Sequence, residues 1–346
     1  MRFLVLGGTA WLGGQVATAA LARGHEVSCL ARGTSGSPPD GAALVRADRD
    51  DAEAYDLVGR TDWDVVVDVA RQPGHVRRAT EALHDRCGRY VFVSSLNVYA
   101  DHATPGADES AALLPPLGGD VMENMETYGE AKVACEQHVL GAFGQDRVLV
   151  ARAGLIGGPG DVSGRTGYWP LRLARPASGD GQVLVPDIGD HATQVLDVRD
   201  LAAWLVDAGA SGTAGAFNAT GETVPFAAHL DAARTVADHH GALVTAPEDW
   251  LTEHDVQPWM GPRSLPLWLP EPEYAGFADR DNSAARAAGL TLRPLEETLA
   301  DVLEWELAEG ADRSRGAGLT RAEEGELLED YAQEQPRDPR RRSTAP

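Results

Sequence analysis

Phe3-Leu4-Val5-Leu6-Gly7-Gly8-Thr9-Ala10-Trp11-Leu12-Gly13-Gly14 is the stretch whose reading decides the fold. Four apolar residues run straight into glycines. The glycines lead into a segment where Leu12, Val16, Ala19 and Ala20 share one helical face. A strand, a tight turn and a helix N-terminus in this order form a cradle for a pyrophosphate. Backbone amides point at the anion, and a Cβ in the turn would block its approach. The spacing is G-x-x-G-x-x-G with Ala10 in the middle glycine's place. Gly7, Thr9, Ala10, Trp11, Leu12 and Gly13 are therefore the candidate contacts to a dinucleotide. The competing reading is a turn that is tight for packing alone.

Outward from this turn, short apolar runs recur at residues 27–30, 65–69, 90–93 and 148–150, separated by helical patterns at 76–83 and 131–140. The runs are continuous rather than alternating, as expected of strands buried on both faces. Strands alternating with helices predict an α/β fold with a doubly wound parallel sheet. Another helix is predicted over 197–206 and a last one from Pro294 to about residue 308, with Gly310 as its stop. Residues 259–272, rich in proline and tryptophan, read as an irregular wall. Beyond residue 311 the chain is charged and poor in large apolar residues, which predicts a largely disordered tail with one short helix around 323–331, ending near Arg340-Arg341-Arg342.

Composition narrows the classes of function. The formal net charge of −23 opposes binding to nucleic acid or to an anionic membrane surface. No apolar run approaches the ~20 residues that cross a bilayer, and residues 2–6 are too short for a signal-peptide core. The expectation is a cytoplasmic protein with a small-molecule substrate. Cys29, Cys87 and Cys135 have no paired or metal-like spacing, and neither His239-His240 nor any other histidine makes a metal-like group. No metal is expected. Lys132 is the only lysine in the chain, although arginines are plentiful. Arginine is planar, bulkier and effectively never deprotonated, so one retained lysine suggests a place that arginine cannot fill.

That place is Tyr128-Gly129-Glu130-Ala131-Lys132, which puts a phenol and an ammonium at i and i+4 on one helix face. A free phenol, with a pKa near ~10, is a poor base at neutral pH. A cation beside it favours the phenolate and suits it to acid–base work. The strand around 90–93 ends in Ser94-Ser95-Leu96-Asn97-Val98-Tyr99. Ligands of open α/β sheets bind at the carboxyl ends of strands, where a serine hydroxyl can steady a reacting carbonyl oxygen. After the second strand come Ala31-Arg32-Gly33, with no acid for a ribose. Arg32 suits a 2′-phosphate, which favours NADP over NAD; a plain surface arginine is the other reading. Asp48 and Arg49 follow the third strand, where they could border an adenine.

In this order the pieces resemble the extended short-chain dehydrogenase/reductase family, also called the NAD-dependent epimerase/dehydratase family, over roughly residues 1–310. The resemblance implies a Rossmann-like domain over 1–165, with 195–220 returning to it. It further implies a smaller discontinuous C-terminal substrate domain from 166–194 and 221–310. Tyr128 would be the acid/base, Lys132 would bind the nicotinamide ribose and tune Tyr128, and Ser95 would assist. Ala70 and Ala153 would lie against the cofactor. Asn97, Tyr168, Trp169 and His191 sit where they could meet substrate, although packing explains each as well. A homodimer is compatible with the family.

The departures also matter. Leu96-Asn97 replaces the acidic pair of the family's sugar-nucleotide dehydratases, which argues against dehydration. Ala31 replaces the ribose-binding acid of many NAD-retaining epimerases. The leading expectation is therefore an oxidoreductase that interconverts a secondary alcohol and a ketone. An epimerase is the runner-up. A redox-inert NAD(P)-binding or RNA-binding protein, as in a relative subgroup opening G-G-T-x-x-x-G, is a third reading.

Overall fold

A computed structural model describes residues 1–334. Its elements begin with β1 (Arg2–Leu6), α1 (Trp11–Ala22), β2 (Glu26–Ala31), β3 (Ala43–Arg46), β4 (Trp63–Asp68), α2 (Pro73–Leu83), β5 (Cys87–Ser95), α3 (Tyr128–Phe143) and β6 (Val148–Ala153). With the strand Gly215–Ala219 they build a seven-stranded sheet. From that edge strand the order is β6, β5, β4, β1, β2 and β3. Every neighbouring pair runs parallel. The sheet is Rossmann-like.

Side-chain alternation explains why the strands read as unbroken apolar runs. Phe3, Val5, Val65, Val67, Val91 and Val93 face one side, against Val16, Ala17 and Ala20 of α1 and Leu201, Leu205 and Val206 of the helix Val198–Ser211. Leu4, Leu6, Val66, Tyr90, Phe92 and Val150 face the other, against Val76 and Leu83 of α2 and Cys135 and Val139 of α3. Both faces are covered, so a helix must cross between strands, and the parallel arrangement follows. The register sets Leu6 beside Asp68, Asp68 beside Phe92, and Ser95 beside Ala153, which aligns the carboxyl ends along one edge.

The chain separates into two compact units. The first holds 1–160, 192–224 and 271–294. Residues 271–294, assigned from sequence to the substrate domain, thus group with the sheet: Ala285 and Leu290 are fully packed into its core beside Trp204. The second holds 161–191, 225–270 and 295–334 of the described chain. In it the helices Tyr168–Ala174, Phe226–Val236 and Leu295–Glu309 pack together beside the parallel strands Val183–Pro186 and Leu243–Ala246.

The expectation of a largely disordered tail beyond residue 311 needs correction, although the short helix expected around 323–331 is present. Arg321–Glu334 forms a helix that buries Leu327 and Leu328, while Ala317 and Leu319 are buried ahead of it. Its charged residues are not all solvated. Glu324 is fully buried, accepts the Leu184 amide at 3.0 Å and pairs with Arg172 at 3.1 Å. Arg340-Arg341-Arg342 lie outside the described residues. Among those described, no helix is long and apolar enough to cross a membrane.

Candidate active site

The glycine turn follows the logic of its sequence. Gly7 sits at φ +97°, and a Cβ there would come within 2.8 Å of Val69. A Cβ on Gly13 would lie 2.2 Å from the Gly7 carbonyl oxygen, so α1 can close on the turn only without one. Ala10, in contrast, is the N-cap at φ −86° and ψ 164°, an ordinary extended conformation that alanine adopts freely. This is why the middle glycine is dispensable. No side chain caps α1 and no acid occupies its first turn, so its orphan amides and the positive end of its dipole stay available to an anion. Thr9 is buried in the turn, and Leu12 packs partly against the core below. The Trp11 indole donates to the Pro159 carbonyl at 2.8 Å, fixing the loop after Gly157 beside the turn. The cradle fits a dinucleotide pyrophosphate.

At the end of β2, Arg32 is exposed and lies 3.7 Å from Asp48. An ion pair this long and wet is weak, so both groups can meet a ligand. Arg49 differs from its expectation. Its guanidinium grips Asp68 with two bonds of 2.7 and 2.8 Å and donates to the Tyr55 hydroxyl at 2.7 Å. Its side chain is buried structure, not a nucleotide contact. Burial pushes the Asp68 carboxyl upward, but the adjoining Arg49 charge overrides this and holds it below the usual carboxylate range. Asp68 also accepts from the Tyr90 hydroxyl at 2.8 Å and from the Ala70 amide at 2.9 Å.

Ala70 links this network to the lysine. Lys132 is 2% exposed, and its ammonium donates to the Ala70 carbonyl at 2.7 Å and the Val93 carbonyl at 2.6 Å. It also lies 4.4 Å from the centre of the Phe92 ring. The ammonium therefore bridges the carboxyl ends of β4 and β5, and β4 adjoins β1 and its glycine turn. Three N–H groups surround an ammonium nitrogen, and two are placed by these carbonyls.

Ser95 closes β5. Its hydroxyl donates to Asn97 Oδ1 at 2.9 Å and accepts from the Asn97 amide at 3.3 Å. The first turn of α3 presses on this corner: a Cβ on Gly129 would stand 2.2 Å from the Asn97 carbonyl oxygen. Gly129 thereby holds half-buried Tyr128, the first residue of α3, beside the Ser95–Asn97 turn. Ala153 is buried on the neighbouring strand, in register with Ser95. Tyr128, Lys132, Ser95, Asn97, Ala70 and Ala153 thus gather along one sheet edge, on the same unit as the glycine turn.

A buried network supports this edge. Glu136 accepts from Ser94 at 2.5 Å and from Arg152 at 2.9 and 3.2 Å. Arg152 also donates to the Tyr99 hydroxyl at 3.1 Å, which donates to Asn218 Oδ1 at 2.6 Å. Burial works against the Arg152 charge, but Glu136 more than offsets it and raises its pKa. Sequence reading missed Glu136, although its signal was present: Tyr128, Lys132 and Glu136 recur every four residues along one helix face.

Two of the substrate expectations need correction. Trp169 is fully buried, with its indole donating to the Pro266 carbonyl at 2.9 Å and its ring edge-on to Phe226. Tyr168 packs edge-on against Trp169. Both belong to the core of the second unit. His191 is half-buried in that unit, and its carbonyl accepts the Phe226 amide.

The model of the NAD dependent epimerase/dehydratase family matches residues 3–219. The chain belongs to this family. The match begins in β1 and ends with the strand Gly215–Ala219, so it covers the whole central sheet and the glycine turn. Solved structures of similar fold include UDP-N-acetylglucosamine 4-epimerase from Bacillus cereus, at 17% identity and TM-score 0.65, covering 92% of this chain and 100% of that one. WbmH from Bordetella bronchiseptica, in complex with NAD+, shares 18% identity at TM-score 0.64 over 89% and 99% of the two chains. UDP-glucose 4-epimerase from Thermotoga maritima, with UDP-glucose, shares 16% identity at TM-score 0.65 over 89% and 99%. No curated protein matches the chain. The match thus spans both the turn at Gly7–Gly13, the candidate cofactor cradle, and the edge from Ser95 to Lys132, the candidate reacting side.

Proposed function

We propose that this family member interconverts a secondary alcohol and a ketone on a small molecule, with NAD(P) as hydride carrier. The observation that carries the proposal is the lone lysine. It is buried one turn along the helix from Tyr128 and held by the Ala70 and Val93 carbonyls at the carboxyl edge of the sheet. A buried charge is costly unless it is partnered, and the two carbonyls satisfy two of its three N–H groups, which leaves one for a ligand.

The nicotinamide supplies the hydride donor or acceptor. The amides at the start of α1 would hold the pyrophosphate, and the remaining Lys132 N–H would be left for a ribose hydroxyl. The Tyr128 hydroxyl gives its proton to a ketone oxygen, or in the reverse direction its phenolate takes one from an alcohol, with the Lys132 charge stabilising the phenolate. The Ser95 hydroxyl can turn from Asn97 Oδ1 to the same oxygen and so orient it. Arg32 supports NADP: it is exposed at the end of β2, and its partner Asp48 is 3.7 Å away.

Tyr128→Phe tests the reading. Turnover should fall by about 10²–10⁴, the usual worth of a positioned acid/base group, while NAD(P) affinity stays within twofold. Turnover within threefold of wild type would refute the assignment.

Epimerisation is the second reading, favoured by the fold likeness to two UDP-sugar 4-epimerases. An epimerase takes a hydride from its substrate and returns it to the opposite face, so it keeps its cofactor through purification and shows no net turnover of added NAD(P). Stoichiometric release of bound nucleotide on denaturation, together with a null dehydrogenase assay, would select it.

A further inference from the structure

The chain carries a net charge of −23, yet one cavity in it is lined by six arginines. The cavity measures about 510 Å³, and all of its lining residues belong to the second unit. That is the size of a small-molecule pocket. Arg172 and Arg175 come from the helix Tyr168–Ala174 and its end, Arg263 from a loop, and Arg313, Arg315 and Arg321 from the segment after residue 310. None of these lies within the family match except Arg172 and Arg175.

Their charges are only partly neutralised. Arg313 and Arg315 share the single carboxylate of buried Glu306, at 2.6 and 2.7 Å. Arg172 pairs with Glu324. Glu323 also lines the cavity, but its carboxylate is turned into a capping box, accepting from the Thr320 amide at 2.7 Å and the Thr320 hydroxyl at 2.8 Å. The box already serves the start of the helix Arg321–Glu334, so the positive character comes from side chains rather than from that helix end. Arg175, Arg263 and Arg321 make no direct ion pair with a carboxylate among the described residues, and Arg321 acts on Glu324 only through space; their guanidinium groups donate to the Ala174, His254 and Arg175 carbonyls. With Glu306, Glu324, Asp312 and Glu323 set against the six arginines, two positive charges remain in excess.

The walls are fixed rather than loose. Gly318, at φ +107°, lies against the Tyr168 ring, where a Cβ would come within 2.4 Å. A Cβ on Gly164 would meet the Arg315 side chain at 2.9 Å. Arg263 itself is held at φ +51°, in the left-handed region that non-glycine residues rarely adopt. Strained backbone of this kind persists where the surroundings over-determine it, and it concentrates at ligand sites. Planar forked guanidinium groups of the kind that line this cavity match the oxygens of phosphate.

We propose that this cavity is a phosphate-binding site for a small metabolite bearing two phosphate groups, separate from the glycine turn. It does not depend on the oxidoreductase reading, since no residue of that site takes part.

The test is calorimetric titration of the full chain with sodium pyrophosphate, at fixed ionic strength, after saturation with NADP to fill the glycine turn. Saturable binding is expected, at least tenfold tighter than inorganic phosphate under the same conditions. Arg175→Ala with Arg321→Ala removes two exposed arginines that hold only backbone contacts, so the variant should fold and keep its NADP affinity. It should lose pyrophosphate affinity at least tenfold, whereas Arg60→Ala, an exposed arginine of the first unit, should change it less than twofold. Absence of saturable binding at 10-fold excess over NADP, equal affinity in the double variant, or pyrophosphate binding only without NADP would each overturn the site. None of these outcomes bears on Tyr128→Phe, so the two readings fail independently.

Discussion

Asp68→Asn is the perturbation that most directly tests how the site edge is held. Asp68 is fully buried, and Arg49 opposite it has only 9% of its side chain exposed. The substitution keeps the shape but removes the charge, and it puts an NH₂ where an oxygen now accepts from Arg49 and from either the Ala70 amide or the Tyr90 hydroxyl. Arg49 is then a buried cation without a counter-charge, which typically costs about 3–5 kcal/mol. At roughly 2–4 °C per kcal/mol for a unit of this size, the first unit should melt about 6–20 °C lower. The Ala70 amide also loses part of its anchor, so turnover should fall even though Asp68 touches no substrate. Asp68→Leu combined with Arg49→Met should recover most of the stability, because an apolar pair of similar volume leaves no orphan charge. Thermal unfolding of the three variants by circular dichroism at pH 7 reads the effect. Burial alone would raise the Asp68 pKa, but Arg49 holds it below the unfolded value near ~3.9. The pair therefore stabilises fully above that value, and its contribution is lost as pH falls through the lower folded one. The gap between wild type and Asp68→Asn should narrow below about pH 4. A melting temperature within about 2 °C of wild type at pH 7 would show that Arg49 does not need this carboxylate.

Lys132→Arg should keep the charge and still lower turnover at least about 100-fold, because the wider guanidinium cannot reproduce an ammonium held between two carbonyls; a steady-state assay with near-normal rates would remove the reason for the lone lysine. Gly129→Ala adds a Cβ 2.2 Å from the Asn97 carbonyl oxygen, so it should destabilise by about 1–3 kcal/mol although alanine is the better helix former. Turnover should fall with it, and a stabilised, active variant in paired melting and rate measurements would contradict the close approach. Arg32→Ala should weaken NADP at least about tenfold and NAD less than twofold, as expected for one lost charge-assisted contact; equal losses in calorimetry would count against a 2′-phosphate partner.

The parts of this protein that could be read in advance are those encoded by local spacing. The glycine turn, the two-faced strands and the Tyr128–Lys132 pair each depend on residues a few positions apart, and the backbone geometry they demand is visible in their order. Arg49 was misread for the opposite reason. An arginine after a strand looks the same whether it meets an adenine or a buried carboxylate, and Asp68 lies 19 residues further on. The final helix was expected only as a short stretch within a disordered tail, and its burial escaped notice on similar grounds. Its few large apolar residues suggested a solvated tail, yet Glu306 and Glu324 are fully buried because arginines from other segments reach them. Charge in sequence therefore has two opposite meanings, a wet surface or an interior ion pair. Only the partner's position distinguishes them. Lys132 escaped this ambiguity because its scarcity, rather than its neighbours, marked it, and the Ala70 and Val93 carbonyls supply the physical reason: two fixed acceptors leave room for an ammonium and none for a guanidinium.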